Sequence, residues 1–158
     1  MYEEMNTTNL INNLYTLSRY FRAAESKPMY YGTDILLYPN EAYTLRAIAE
    51  EPGISQTDIS QKMHRTKGAT SVVVQKLIQK GLAVSRNESF DQRVGNLYVT
   101  EKGQEVYKQH LDFDRRYVEM LSSELELTSE QLYLVNETIV HFMELGKKRR
   151  EEKKEDFI

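Results

Sequence analysis

The segment from Arg65 to Lys76 carries small, polar and basic side chains at spacings that suit contact with a nucleic acid. Arranged as a helix of about 100° per residue, its apolar positions gather on one face and leave the opposite face polar. The outward and flanking positions are Lys67, Gly68, Ser71, Val72, Gln75 and Lys76. Taken together, these residues predict a reading surface, whereas each polar residue alone is equally consistent with simple solvation.

Each outward residue predicts its own kind of contact. Gln75 can hydrogen-bond an adenine edge, Val72 can lie on a thymine methyl group, and Ser71 can meet a base or a phosphate. The ammonium groups of Lys67 and Lys76 can neutralise phosphates. The glycine beside Lys67 lets the backbone approach a phosphate at the helix N-terminus. Together these contacts are those of a helix in a DNA major groove.

Further candidates stand just before this helix. Thr66 is its predicted N-cap, with phosphate contact as a second role. Arg65, immediately before the cap, is a candidate cation for the DNA backbone.

A polar loop after this helix holds another candidate pair. Asp91 and Arg93 are two residues apart, so in an extended stretch both side chains leave the same face. The carboxylate can then orient the guanidinium for a narrow minor groove, where negative potential is concentrated. The alternative is an ordinary surface ion pair, which contributes little. Arg86, on the other side of the loop, is a candidate phosphate contact.

The elements that must position these residues can be predicted from their boundaries. Ser55, with Asp58 three residues later, has a capping-box pattern and begins the preceding helix. Gly81 ends the candidate helix in the left-handed conformation. Residues 83–85 and 97–99 are the arms of a hairpin, and Thr100 caps the helix that follows. The order helix, turn, helix, hairpin predicts a winged helix-turn-helix, mainly α with a small β-hairpin wing.

Other helices are predicted on both sides of these elements. One follows Pro39, with Asn40 as its N-cap and Tyr43 facing inward; another begins at Thr128. The charged tail of the chain is expected to fray or to project into solvent. The N-terminal helix carries an apolar stripe at Leu10, Leu14, Leu17 and Phe21. Because such stripes need a partner, we predict that residues 1–32 and 104–158 form a helical dimerisation region around a DNA-binding lobe, residues 33–103. The alternative is a monomeric helical cap.

Composition narrows the class of protein. The chain has 158 residues and a net charge of −3, yet residues 55–103 carry eight Lys or Arg against four Asp or Glu. This basic segment fits one surface that touches phosphates, although a solvated charged face is the simpler alternative. Without cysteine there is no disulfide, thiolate zinc site or thiol switch. With no signal-peptide pattern and no apolar run of about 18 residues, we expect a cytoplasmic protein.

Three sequence stretches carry a resemblance to a known family: AIAEEPGISQTDISQKM, TKGATSVVVQKLIQKGL and DQRVGNLYVTEKG. On these the chain resembles the MarR family of transcriptional regulators. The resemblance implies a homodimer whose terminal helices interlock and whose two lobes read a near-palindromic operator, most often as a repressor. It also implies that Arg93 is the wing arginine and Asp91 its orienting partner.

Regulators of this kind often bind small aromatic effectors, which suggests a second type of site. The candidate wall residues are Tyr15, Arg19, Tyr30, Tyr31, Tyr38 and Tyr43. The sequence has eleven tyrosines, and tyrosine side chains combine an apolar ring with a hydrogen-bonding hydroxyl. Packing at a dimer interface explains the same residues equally simply, and we favour it.

Other functions remain as alternatives. A winged-helix module that holds a protein, without DNA sequence specificity, would use the same helix surface. An enzyme is not supported, because no Ser/His/Asp set, phosphate loop or pair of carboxylates in an apolar setting is recognisable. We predict no cofactor and no metal, since His64, His110 and His141 fall on separate elements.

Overall fold

The structure is a computed structural model that describes residues 7–86 and 95–155. In these residues the chain forms six α-helices and a small three-stranded sheet, so the predicted fold class is confirmed. The elements are α1 (Thr7–Glu25), α2 (Pro39–Glu50), β1 (Ile54–Ser55), α3 (Gln56–Lys62), α4 (Lys67–Gln79), β2 (Ala83–Arg86), β3 (Asn96–Val99), α5 (Glu101–Glu124) and α6 (Ser129–Glu155).

The chain forms two compact units, residues 1–113 and residues 114–158. The first contains the winged helix-turn-helix lobe together with α1, and the second contains the end of α5 and all of α6. The division of the chain by role, into a dimerisation region and a DNA-binding lobe, stays a prediction.

Helix α2 begins earlier than its predicted cap. Tyr38 is the N-cap residue and Pro39 occupies the first turn, so the expectation that Asn40 caps this helix was wrong. Proline suits the first helical position because its φ is already helical and it has no N–H to leave unpaired. The carboxylate of Glu41 accepts a hydrogen bond from the Tyr38 N–H at 2.8 Å. Tyr43, predicted to face inward, is exposed over much of its surface.

The sheet contains one strand that the sequence did not predict. The predicted arms pair as β2 and β3, with Ala83 opposite Val99 and Ser85 opposite Leu97. On the far side of β3, Ile54 pairs with Leu97, so the strand order is β1-β3-β2. A two-residue strand is too short to show an alternating pattern, which is why it could not be recognised.

The core of the first unit is closed on all sides by aliphatic side chains from α2, α3, α4 and the sheet. Its most buried members are Leu37, Leu45, Ile48, Ile59, Val74, Leu77, Leu82 and Leu97. Helix α5 contributes Val106 to this core. At the start of this helix, the Thr100 Oγ1 accepts a hydrogen bond from the Gly103 N–H at 2.9 Å. A Cβ at Gly103 would overlap the carbonyl oxygen of Leu82, so only glycine allows α5 to lie this close.

Helix α6 begins as predicted but runs further than expected. The Thr128 Oγ1 accepts from the Gln131 N–H at 3.2 Å, and the Gln131 side chain accepts from the Thr128 N–H at 2.8 Å, which is a complete capping box. The charged tail, which was expected either to fray or to project into solvent, does not fray within the described residues, because the helix continues to Glu155. Lysine, arginine and glutamate are good helix formers, which favours this extension.

The terminal helices leave many large apolar side chains exposed. On α1 these are Leu10, Ile11, Leu14, Tyr15, Leu17, Tyr20 and Phe21, and on α6 they are Tyr133, Leu134, Val135, Ile139, Val140, Phe142, Met143 and Leu145. Exposed apolar surface of this extent is typical of sites that bind a protein, a membrane or a ligand. In the described residues, no helix combines the length and the hydropathy needed to cross a membrane.

Candidate nucleic-acid interface

The orientation of α4 follows from its buried residues. Its inner face is formed by Thr70, Val73, Val74 and Leu77, all buried as the sequence predicts. This face packs into the core of the lobe, so the rotation of the helix about its axis is fixed. The opposite face is therefore presented to solvent in one defined register.

Both ends of α4 are held by local hydrogen bonds. At the start, the Thr66 Oγ1 accepts from the Ala69 N–H at 3.2 Å, as expected of an N-cap. At the end, the Gly81 N–H donates to Ile78 and the Leu82 N–H donates to Leu77, each at 2.9 Å. With a φ of +70° at Gly81, this is a Schellman motif, which confirms the predicted termination.

The outward face of α4 carries the predicted reading residues. Lys67, Gly68, Gln75 and Lys76 are exposed, and Ser71 is partly buried at the edge of the face. Val72 is 56% exposed although it is apolar. An isolated valine on a solvated face gains nothing from burial within the chain, so its surface is available to a partner. The structure thus brings these six α4 candidates together on one side of the helix.

Two of the candidate cations lie on aromatic rings. The Lys76 Nζ is 5.5 Å from the centroid of the Tyr38 ring. The Arg86 guanidinium is 5.1 Å from the centroid of the Tyr98 ring. Such contacts favour particular side-chain conformations while leaving the charge in place. The sequence did not indicate that the rings of Tyr38 and Tyr98 would contact these two cations.

Lys80 belongs to the basic segment but is used inside the protein. Its Nζ lies 2.7 Å from a carboxylate oxygen of Glu41, which is only 1% exposed, and donates to the Leu36 carbonyl oxygen at 2.8 Å. The pair ties the end of α4 to the start of α2. The positive surface offered to a partner is therefore smaller than the count of basic residues indicates.

Arg65 is also engaged within the protein. Its Nη1 donates to the Thr44 Oγ1 of α2 at 3.2 Å. Burial lowers the pKa of the Arg65 guanidinium from its ordinary value, and the negative charge of Glu25 acts in the opposite direction. This candidate phosphate contact thus points back to α2.

Comparisons with known proteins agree with this architecture. A model of the MarR family matches residues 37–93, which include α2, α3, α4 and β2. A curated relative, the HTH-type transcriptional regulator BilQ of Clostridium symbiosum, is 30% identical over 92 residues, which are 58% of this chain and 64% of BilQ. The aligned region is therefore slightly less than two thirds of that regulator's length. Residues 37–93 of the chain therefore match the MarR family.

Solved structures of transcription regulators and of a DNA-bound protein share the fold over nearly the whole chain. The Staphylococcus aureus MarR in complex with salicylate and kanamycin is 20% identical, with a TM-score of 0.73 over 92% of this chain and 95% of that one. The Streptococcus pneumoniae FabT in complex with DNA is 18% identical, with a TM-score of 0.69 over 90% of this chain and 99% of that one. At these identities the likeness establishes the fold alone.

The structure describes only some of the predicted wing residues. Asp91 and Arg93 lie outside the described residues. The two strands that flank them are described, and Arg86 pairs with Asn96 in the register of β2 and β3. The roles assigned to Asp91 and Arg93 stay predictions.

The six effector candidates occupy different environments. Tyr31 is a core residue whose ring meets Phe113 edge-on at 5.3 Å, and it holds a φ of +47°. The remaining five are exposed: Tyr15, Arg19, Tyr30, Tyr38 and Tyr43. A groove of about 420 Å³ between residues 32–35 and the start of α5 is lined by none of the six. The proposed pocket therefore stays a prediction.

The described side chains include no group of three His, Asp or Glu residues that could hold a metal ion. His110 instead packs in the first unit, with its ring centroid 4.9 Å from that of Tyr31 and 5.6 Å from that of Tyr43.

Proposed function

We propose that this chain is a sequence-specific regulator of transcription of the MarR family that binds double-stranded DNA as a homodimer. The observation that carries the proposal is the outward face of α4. One side of this helix is sealed into the core, while the other presents two lysines, a glycine, a serine, a glutamine and an exposed valine. The structure of FabT with DNA supports the same use of this fold.

The contacts can be assigned by chemistry. Gln75 reads a base edge by hydrogen bonds, and Val72 lies against a thymine methyl group. Lys67 and Lys76 neutralise phosphates, and the exposed backbone at Gly68 meets a phosphate at the helix N-terminus. Of the wing candidates, Arg93 reaches the minor groove, oriented by Asp91, and Arg86 contacts the backbone.

The homodimer is supported by the terminal helices. A monomer would leave the apolar side chains of α1 and α6 in water, whereas a second copy brings an identical apolar surface to cover them. Two copies place two α4 helices on one duplex, about one helical turn or 34–36 Å apart, which suits a near-palindromic operator. A dimer bound across a promoter acts as a repressor by blocking access.

Selection from a random pool of duplex DNA with the purified protein tests this proposal directly. We expect an enriched site made of two related half-sites whose centres are one helical turn apart. A pool that stays random after repeated rounds would contradict sequence-specific binding.

Matched lysine variants test whether α4 is the reading element. Lys67→Met should weaken binding to the selected site and reduce the salt slope of the affinity by about one, because one phosphate contact is lost. The control is Lys147→Met, which removes an exposed lysine of α6 in the other compact unit. Equal effects of the two variants would contradict the assignment of α4.

Salt also separates DNA binding from the alternative, a winged-helix module that holds a protein. Binding through several phosphates weakens steeply as salt rises, since condensed counterions are released. An interaction of the α4 face that is insensitive to salt and captures protein rather than DNA would favour the alternative.

A small aromatic effector is the remaining part of the proposal. The complex of the Staphylococcus aureus MarR with salicylate supports this class of ligand. Salicylate should lower the affinity for the selected site, and replacing Tyr30 by Phe, which removes one exposed hydroxyl, should weaken that response. No response to salicylate at millimolar concentration would argue against this effector class.

A further inference from the structure

The backbone of Arg65 is fixed on both sides. It follows the end of α3, where the His64 N–H donates to Gln61 at 3.1 Å and the Arg65 N–H donates to Ser60 at 2.9 Å. With a φ of +51° at His64, this is a Schellman motif in which Arg65 is the closing residue. The next residue, Thr66, is the N-cap of α4. Arg65 is therefore the joint between the two helices.

The Arg65 side chain extends from this joint to α2. Its Nη1 donates to the Thr44 Oγ1 at 3.2 Å, across 21 residues of sequence. Thr44 is fully buried, and its own hydroxyl donates to the Asn40 carbonyl oxygen at 2.6 Å. A hydroxyl has one donor and two acceptor positions, so the guanidinium occupies an acceptor position that the Asn40 contact leaves open.

The helix that receives this hydrogen bond is rigidly placed. Leu45 and Ile48, in the turn of α2 that follows Thr44, are almost completely buried in the core. The guanidinium is partly withdrawn from water and lies in the favourable field of Glu25, the last residue of α1. A cation held in this way is directed toward α2 rather than outward.

We propose that Arg65 is a positioning residue, which fixes the start of α4 relative to α2, and that it does not neutralise a phosphate. This role replaces the DNA contact that the sequence suggested for Arg65. Because the first turn of α4 holds Lys67 and Gly68, a small displacement of the joint moves both away from the DNA backbone. The inference rests on the proposed DNA binding and identifies the contact that sets its geometry.

The test compares three variants of the full-length protein on the DNA site selected above. Arg65→Met removes the guanidinium, Thr44→Val removes the acceptor, and Thr44→Ser keeps the hydroxyl. We expect Arg65→Met and Thr44→Val each to weaken DNA binding by about tenfold, the factor for one charge-assisted hydrogen bond. Thr44→Ser should bind nearly as the unaltered protein does.

Two further readouts distinguish positioning from phosphate contact. The salt slope should be unchanged in Arg65→Met, whereas a lost phosphate contact would reduce it by about 0.9. The double variant Arg65→Met/Thr44→Val should bind no more weakly than either single variant, because both remove the same interaction. A reduced salt slope, or additive losses, would overturn the positioning role.

Hydrogen exchange in the DNA-free protein provides a readout that is independent of the proposed function. The amides of Ala69 and Thr70 should exchange about tenfold faster in Arg65→Met and Thr44→Val, and not in Thr44→Ser. If the unaltered protein fails to bind duplex DNA, the proposed function fails, and exchange alone decides on Arg65. Unchanged exchange in both disruptive variants would reject the positioning role even if DNA is bound.

Discussion

The winged lobe and the terminal helices place the same kinds of apolar residue in opposite environments. In the lobe, Leu77 is 0% exposed, whereas Leu17 on α1 is 48% exposed. Burying a leucine side chain completely stabilises a fold by about 1.5–3 kcal/mol. Burial within its own chain therefore stabilises the lobe. Under the proposed homodimer, many apolar side chains of α1 and α6 are buried, and stabilise the fold, only when a second copy covers them.

The outward face of α4 resembles neither the buried core of the lobe nor the apolar surface of the terminal helices. It leaves Val72 exposed, as the terminal helices leave their leucines, but surrounds it with Lys67, Gln75 and Lys76. A second protein copy is best recognised by a broad apolar surface, whereas a charged duplex requires cations with few apolar contacts. The two exposed surfaces therefore differ in chemistry, as the two partners under the proposed function require.

The largest effect is expected where the lobe is packed most tightly. Gly103→Ala should destabilise the protein by about 4 kcal/mol or more, because the added methyl group overlaps the Leu82 carbonyl oxygen and α5 must move. Gly146→Ala on α6 is the matched control, since nothing lies within 4 Å of its new Cβ. Chemical denaturation measures both variants. Similar stabilities would contradict the difference in packing between the two regions.

A matched pair of leucine truncations addresses the proposed dimer itself. Leu77→Ala should cost about 3 kcal/mol, and the cost should not depend on protein concentration, because the cavity lies inside one chain. Leu17→Ala should weaken self-association, so its effect on the melting temperature should vary with concentration. Thermal unfolding at two concentrations, with sedimentation of each variant, provides the measurement. A loss for Leu17→Ala that is independent of concentration would remove α1 from the interface.

Local hydrogen-bonding rules explain which features the sequence could predict. Thr66, Gly81 and Thr100 were assigned correctly, because a cap or a left-handed turn involves only residues a few positions apart. The links from Lys80 to Glu41 and from Arg65 to Thr44 join residues 39 and 21 positions apart. Such contacts depend on how helices pack, and local sequence spacing carries no signal for them.

The same distinction explains the candidate site. The face of α4 was predictable because helical periodicity alone separates Thr70 and Leu77 from Gln75. Which cations face outward and which bind partners inside the protein was not predictable, because a lysine on a solvated face and a lysine in a buried ion pair look alike in sequence. Lys80 and Arg65 were counted with the outward charges, although both are directed toward partners within the protein.

A smaller effect is expected from a polar group inside the otherwise apolar core. Among the described residues, the buried Thr70 Oγ1 has no hydrogen-bond partner. Thr70→Val should therefore stabilise the lobe by about 1–2 kcal/mol, because it removes the cost of an unsatisfied hydroxyl at nearly constant shape. Thr44→Val is the control and should destabilise, as that hydroxyl is satisfied. A loss of stability for Thr70→Val in chemical denaturation would contradict the account of this site.

The smallest effect is expected from Gly68→Ala, which tests whether the backbone of α4 is left uncovered for a partner at the expense of the stability of the fold. Nothing lies within 4 Å of a Cβ added at Gly68, so Gly68→Ala should stabilise the free protein by about 0.5–1 kcal/mol through helix propensity. The same methyl group would stand between the α4 backbone and a phosphate, so DNA binding should weaken while stability rises. Denaturation and DNA titration of this variant, with Gly146→Ala as the control for propensity alone, measure the two changes separately. If Gly68→Ala is more stable and binds DNA equally well, the backbone at Gly68 does not approach the duplex, and the glycine is explained by neither the fold nor the partner.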